Sequence, residues 1–195
     1  MRYFLSHILD SAPFAALGAL ACFWIRSARQ RRRGERGGLP RELAIALFAG
    51  YLVGLWALTL TPHNLIRDFW YYVRFHVPPR PEGLSYYAPM LDPGQWLFST
   101  RLNNLRGSRE ALSNLALFLP FGVFVPLLWP RRRWLTPLLG FSLSLAVELL
   151  QMPLRRAADL RDLLMNAAGV CVGLLVSALL RRIAPGFARA LAPEL

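Results

Sequence analysis

The chain has 195 residues, 55% of them hydrophobic, and a formal net charge of +12 from 23 basic residues, all of them Arg. Length alone fits one or two soluble domains, but the apolar residues come in blocks of about eighteen, the length of a membrane-crossing helix. The Arg residues sit at the ends of those blocks, which argues against a nucleic-acid partner and for topology control beside anionic lipid headgroups.

In chain order, five spans are predicted. The first covers residues 8–25, with Asp10 near its start. Its single preceding Arg2 and the dense Arg cluster behind it read as an uncleaved span, not a removable signal. The second covers 43–60, "LAIALFAGYLVGLWALTL", the third 111–129, the fourth 134–152 and the fifth 163–180. Eighteen or nineteen residues make about 27–29 Å of helix, enough for the hydrocarbon core. Helices are required because an open sheet cannot hide its edges in lipid. The predicted fold class is therefore all-α, a polytopic transmembrane bundle. By organisation, 1–42 hold the first span and an Arg-rich loop, 43–180 the main transmembrane domain, and 181–195 a tail.

Orientation follows from charge. "RSARQRRRGERGGLPRE" joins spans one and two, "PRRRW" joins three and four, and "RRIAPGFARA" follows span five. The positive-inside rule puts all three in the cytoplasm, with the N-terminus outside and the C-terminus inside. The fifty residues 61–110 then lie outside. "RDFWYYVRFHV" and "LSYYAPMLDPGQWLF" are too aromatic for a disordered linker and are expected to hug the membrane interface, with "VPPRPEG" as a Pro-rich break. Cys22 and Cys171 fall inside apolar runs as small buried hydrophobes, so neither a disulfide framework nor a metal site is implied, and no cofactor is expected.

Polar residues concentrate at one depth. Glu148 lies four residues from the outer end of span four, Asn166 four past Asp162 in span five, and Asn114 three residues into span three. Each is about one turn, roughly 5–6 Å, below the outer boundary. Asp162, Asn166, Gly169 and Gly173 recur at helical spacing and form one narrow face. The Gly169–Gly173 step lets another backbone approach closely and turns that face inward. Pro120 and Gly122 are expected to bend or loosen span three. A charged Glu148 facing lipid would cost about 2–3 kcal/mol or more, so it should face inward and pair, with Arg155, Arg156 or Arg161 as cations and Gln151, Asn166 or Asn114 as hydrogen-bond partners. Two readings stay open: a network that only pins helix tops together, and one that also contacts a ligand.

"NLALFLPFGVFVPLL", "SLSLAVELLQ" and "RAADLRDLLMNAAGVCVG" resemble the VanZ-like family of bacterial membrane proteins. The resemblance rests on Asn114, Pro120, Gly122, Glu148, Gln151, Arg156, Asp159, Asp162, Asn166 and Gly169, with "LTLTP" at 58–62 matching an earlier span end. Two positions depart from the family pattern: Arg161 stands where an acid often precedes the second Asp, and the link from Gln151 to Arg156 is one residue short. The resemblance implies reduced susceptibility to glycopeptide antibiotics, teicoplanin in particular, which is a phenotype more than a reaction.

Two classes of function follow. In the first, a non-enzymatic protein uses the outer cluster and aromatic loop to bind or exclude a lipoglycopeptide or a lipid-linked peptidoglycan precursor, with Arg155 and Arg156 meeting anionic groups. In the second, an enzyme acts on a lipid-linked envelope substrate with Glu148 and Asp162 as base and acid, and Asn114 and Asn166 steadying an oxyanion. HExxH, GxSxG and GxxxxGK[ST] motifs are missing, and His7, His63 and His76 are scattered, which favours the first. An odd span count and no visible repeat argue against a transporter.

Overall fold

The structure is a computed structural model and describes residues 2–34, 38–60, 73–76, 105–151 and 160–192. Its elements are α1 (Arg2–Arg33), α2 (Leu39–Leu60), α3 (Leu105–Leu128), a 3-10 turn (Pro130–Leu135), α4 (Thr136–Gln151), α5 (Leu160–Ile183) and α6 (Pro185–Leu191). Among the described residues, five helical stretches are long and apolar enough to cross a membrane: Leu9–Arg33, Leu39–Leu60, Ala111–Leu128, Pro130–Gln151 and Asp162–Ile183. The fold is an all-α polytopic bundle.

Helix ends differ from the sequence reading in ways that physics explains. α1 does not stop near Ile25 but runs through the Arg cluster to Arg33; Arg is a good helix former, so a helix need not end where the lipid does. α3 begins at Leu105, inside the stretch expected to be loop, and stays helical through Pro120 and Pro126. The tail also folds, as α6, with Pro185 at its start, where a missing N–H costs nothing. The aromatic segments expected at the interface lie outside the described residues, apart from 73–76.

Two pairs are packed most closely, α3 with α5 and α1 with α2. Between α3 and α5 the backbones touch. Any side chain at Gly169 would strike the carbonyl of Leu115, at Gly173 the carbonyl of Leu119, and at Gly122 the carbonyl of Val170. Val170, 1% exposed, is the knob of this joint, and its methyls also fill the space beside Gly140 of α4. In lipid, where burying apolar surface between helices gains little, such close contact is what holds helices together.

α2 is joined to α3 by aromatic packing. Phe48 lies 5.9 Å from Phe121, 5.7 Å from Phe124 and 5.9 Å from Trp129, ring centre to ring centre. Tyr51 stacks on Phe48 and donates its hydroxyl to the Leu117 carbonyl at 2.8 Å. α1 is peripheral: it packs mainly on α2, where Gly50 meets Ala15 and Ala19, and leaves Leu17, Leu20 and Trp24 exposed. The first hairpin is also closed by a fork of Arg26 on Glu42, in which Nη2 donates at 2.8 Å and Nε to the other carboxylate oxygen. Glu42 is shielded by its neighbours, and Arg26 is the forked partner of its carboxylate, with Gln30 and Arg41 also favouring the charge.

The α3–α5 contact makes a direct prediction. Gly173→Val should destabilise the detergent-solubilised protein by about 1–3 kcal/mol or more, read as a lower thermal midpoint. Gly186→Ala, at a glycine with open space around it, should leave the midpoint in place. Equal midpoints for both variants would show that the backbone contact contributes nothing.

Candidate functional site

One face of α4 carries Gly140, Ser144, Glu148 and Gln151, at steps of four, four and three. Gly140, Ser144 and Glu148 are buried, and Gln151 is half-buried. Each reaches a neighbour or admits one. Gly140 receives Val170. Ser144, with no exposed surface, accepts a hydrogen bond from Asn166 Nδ2 at 2.9 Å. Gln151 Nε2 donates to the carbonyl of Thr59 at 2.8 Å and ties the end of α4 to the end of α2.

The facing side of α5 carries Asp162, Asn166, Gly169 and Gly173. The two glycines lie against α3, so the face does turn inward. Asn166 is 3% exposed and Asp162, in the first turn, half-buried. A carboxylate there complements the positive end of the helix dipole. Asn114 is half-buried on α3, one residue before the Leu115 carbonyl that rests on Gly169. Gly122, expected to loosen α3, instead admits the α5 backbone.

Asn166 is only half satisfied. Its Nδ2 is engaged by Ser144, but its Oδ1 is buried with no hydrogen-bond partner among the described residues. Reversing the amide would exchange an unpaired acceptor for an unpaired donor, because one hydroxyl cannot satisfy both ends. A buried acceptor left this way costs about 1–3 kcal/mol, and a ligand donating to it would recover that energy. Asn166 thus carries an unpaired buried acceptor, and Glu148, one turn along α4 from Ser144, is a buried carboxyl, 6% exposed.

Of the residues read as the cluster, Glu148, Gln151, Asp162, Asn166 and Asn114 fall on the three helices α3, α4 and α5, which pack together. Arg155, Arg156 and Asp159 lie outside the described residues, and with them two of the cations expected to pair Glu148. Three participants escaped the sequence reading: Ser144, Thr59 and Tyr51. Ser144 was within reach, since it sits one turn before Glu148 on the same face. Thr59 takes part through its backbone carbonyl, which leaves no mark in a sequence.

The sequence model of the VanZ/LLP1 family matches residues 14–181, taking in most of α1 together with α2 to α5. The chain belongs to the VanZ/LLP1 family. No curated protein and no solved structure matches it. Of the residues that carry the VanZ-like resemblance, Gly122 and Gly169 are contacts between α3 and α5, Asn166 reaches Ser144 of α4, Glu148 is buried on α4, and Gln151 reaches α2.

The Ser144–Asn166 bond can be weighed by a double-mutant cycle. Ser144→Ala should cost about 1–3 kcal/mol, because it strands the Asn166 amide. Adding Asn166→Ala should then cost clearly less than it does alone, by about 0.5–2 kcal/mol, in detergent unfolding. Strict additivity would mean the two side chains are not coupled.

Proposed function

We propose that this VanZ-like membrane protein lowers susceptibility to glycopeptide antibiotics, teicoplanin in particular, by a non-enzymatic interaction at the outer face of a bacterial cell membrane. The ligand in this reading is amphiphilic, either a lipoglycopeptide or a lipid-linked peptidoglycan precursor. The observation that carries it is the buried, half-satisfied Asn166 amide, joined to α4 through Ser144 one turn before the buried Glu148, within the stretch that the family model matches. Glycopeptides and lipid-linked precursors are rich in amide and hydroxyl donors, which suit an unpaired acceptor. Arg156 and Asp159 would complete the cluster, and Gln151 would hold its rim through Thr59.

The outer placement rests on charge. Arg26, Arg41, Arg131 to Arg133 and Arg181 gather at one end of the bundle, as the bonds from Arg41 to Leu128 and Leu191 and from Arg181 to Pro126 require. By the positive-inside rule that end is cytoplasmic, the C-terminus with it, and the Glu148–Asn166 end faces out. A green fluorescent protein fused after Leu195 should therefore fluoresce, and alkaline phosphatase fused there should be inactive; the reverse pattern would invert the bundle.

Function is tested by teicoplanin and vancomycin susceptibility in a sensitive Gram-positive host. Wild type should protect against teicoplanin more than against vancomycin. Glu148→Gln and Asn166→Ala, at matched membrane levels, should lose most of that protection. If no version changes susceptibility, the resistance reading fails. If Glu148→Asp alone among the Glu148 variants retains protection, proton transfer replaces binding as the explanation.

A further inference from the structure

Two buried side-chain oxygens have no hydrogen-bond partner among the described residues, Oδ1 of Asn166 and Oγ1 of Thr136. Asn166 belongs to the site already described. Thr136, the first residue of α4, has no exposed surface, lies at the Arg-rich end, and has no part in the family-derived function. An oxygen enclosed in this way is either an uncompensated cost or the mark of a bound water.

The two oxygens lie along one joint. Thr136, Gly140, Ser144 and Glu148 follow one another at steps of four on the buried face of α4. Ser144 receives Asn166 of α5, so Thr136 sits eight residues, about 12 Å, along α4 from the Asn166 contact. Each oxygen is also near an end of the bundle. On the Asn166 side, polar residues continue to the helix ends, where Asp162 and Gln151 are half-buried. On the other side, the Thr136 N–H bonds to the Arg133 carbonyl of the 3-10 turn, whose three Arg residues are exposed.

Between them stands one apolar side chain. Val170, one turn past Asn166 on α5, meets α4 at Gly140, midway between Thr136 and Ser144. It is 1% exposed, and a β-carbon at Gly140 would lie 2.6 and 2.9 Å from its two methyls. Its backbone is closed off as well, against Gly122 of α3. A single valine, gripped through glycines of two neighbouring helices, thus separates two stretches of buried polar groups in a membrane protein. Polar groups hold buried water, whereas an apolar contact this close stays dry.

We propose that this joint is a divided hydration path: water binds Asn166 Oδ1 from one end of the bundle and Thr136 Oγ1 from the other, and Val170 is the seal between them. Each water donates to an oxygen that no described residue serves. At Asn166 the water holds the position that a donor group of the amphiphilic ligand takes over. The seal lets the bundle carry buried polar groups towards both ends without relaying protons across the bilayer.

The test reconstitutes the purified full-length chain in liposomes holding a pH-sensitive dye, with a potassium gradient and valinomycin to drive protons inward. Wild type should be no leakier than protein-free liposomes. Val170→Ser, which exchanges one methyl for a hydroxyl and removes the other, should raise the rate about tenfold or more. Adding Thr136→Val should return it to the wild-type level, because the path then lacks its oxygen on one side. Leu175→Ser, on the exposed face of the same helix, is the control and should stay at the wild-type rate. Thr136→Val alone, in detergent, reads hydration with the seal intact and decides the matter should Val170→Ser not fold. Loss of a water-bound hydroxyl should lower the thermal midpoint by about 2–4 °C, and loss of an orphaned one should raise it. A raised or unchanged midpoint overturns the proposal, as does a folded Val170→Ser that is no leakier than wild type. An equal rise in Leu175→Ser, a wild type that itself conducts, or a double variant as leaky as Val170→Ser overturns it too. None of these outcomes bears on teicoplanin susceptibility, so the two readings stand or fall separately.

Discussion

The bundle depends on letting two helix backbones touch. In water, apolar side chains drive helices together; in lipid the surroundings are as apolar as the helix, and only close packing and hydrogen bonds distinguish a pair from two separate spans. Gly122 on α3 and Gly169 and Gly173 on α5 let backbone meet backbone at the crossing. That contact sets the rotation of α5 about its axis, and Asn166, three residues from Gly169, then reaches Ser144 of α4. Polar chemistry in this protein is positioned by residues that have no chemistry of their own.

α2 links the two ends of the molecule. Near the Arg-rich end it supplies Glu42 to α1 and Arg41 to α3 and α6; in its middle, Phe48 and Tyr51 to α3; at the far end, the Thr59 carbonyl to α4. These groups serve as connectors to neighbouring helices, and the Thr59 hydroxyl bonds back to Leu55 within α2, which limits the hydrogen-bonding capacity left to face lipid. α1 contributes far less: it is attached at one face, and its other faces stay open to the bilayer.

Much of this was legible in the sequence, for reasons tied to particular residues. Blocks of apolar residues fix span number because hydrocarbon thickness is a hard constraint, and the Gly169–Gly173 step named the buried face of α5 because glycine is the one residue that admits a backbone. Helix ends were harder to read. Arg26 to Arg33 mark the edge of the lipid but do not interrupt the helix, and "PGFARAL" is too short for its periodicity to show. Ser144 was missed because a hydroxyl in an apolar run usually bonds its own helix, as Thr59 does to Leu55 and Ser177 to Leu174; only the crossing geometry shows that it receives Asn166 instead.

The bond between Arg41 and Leu191 spans 150 positions of the chain and has a consequence for biosynthesis. A growing chain enters the membrane from its N-terminal end, so α1 and α2 are in place long before Leu191 has been made. The Arg41 clamp therefore cannot steer their insertion, and the first hairpin must hold its shape through its own contacts, Arg26 on Glu42 and the close approaches at Gly18, Gly50 and Gly54. Until the last helix arrives, the guanidinium of Arg41 reaches for headgroups and water along its aliphatic stem. Closure of the bundle is thus deferred to the end of synthesis, and a ribosome that stalls within α5 would leave four inserted spans without their lock.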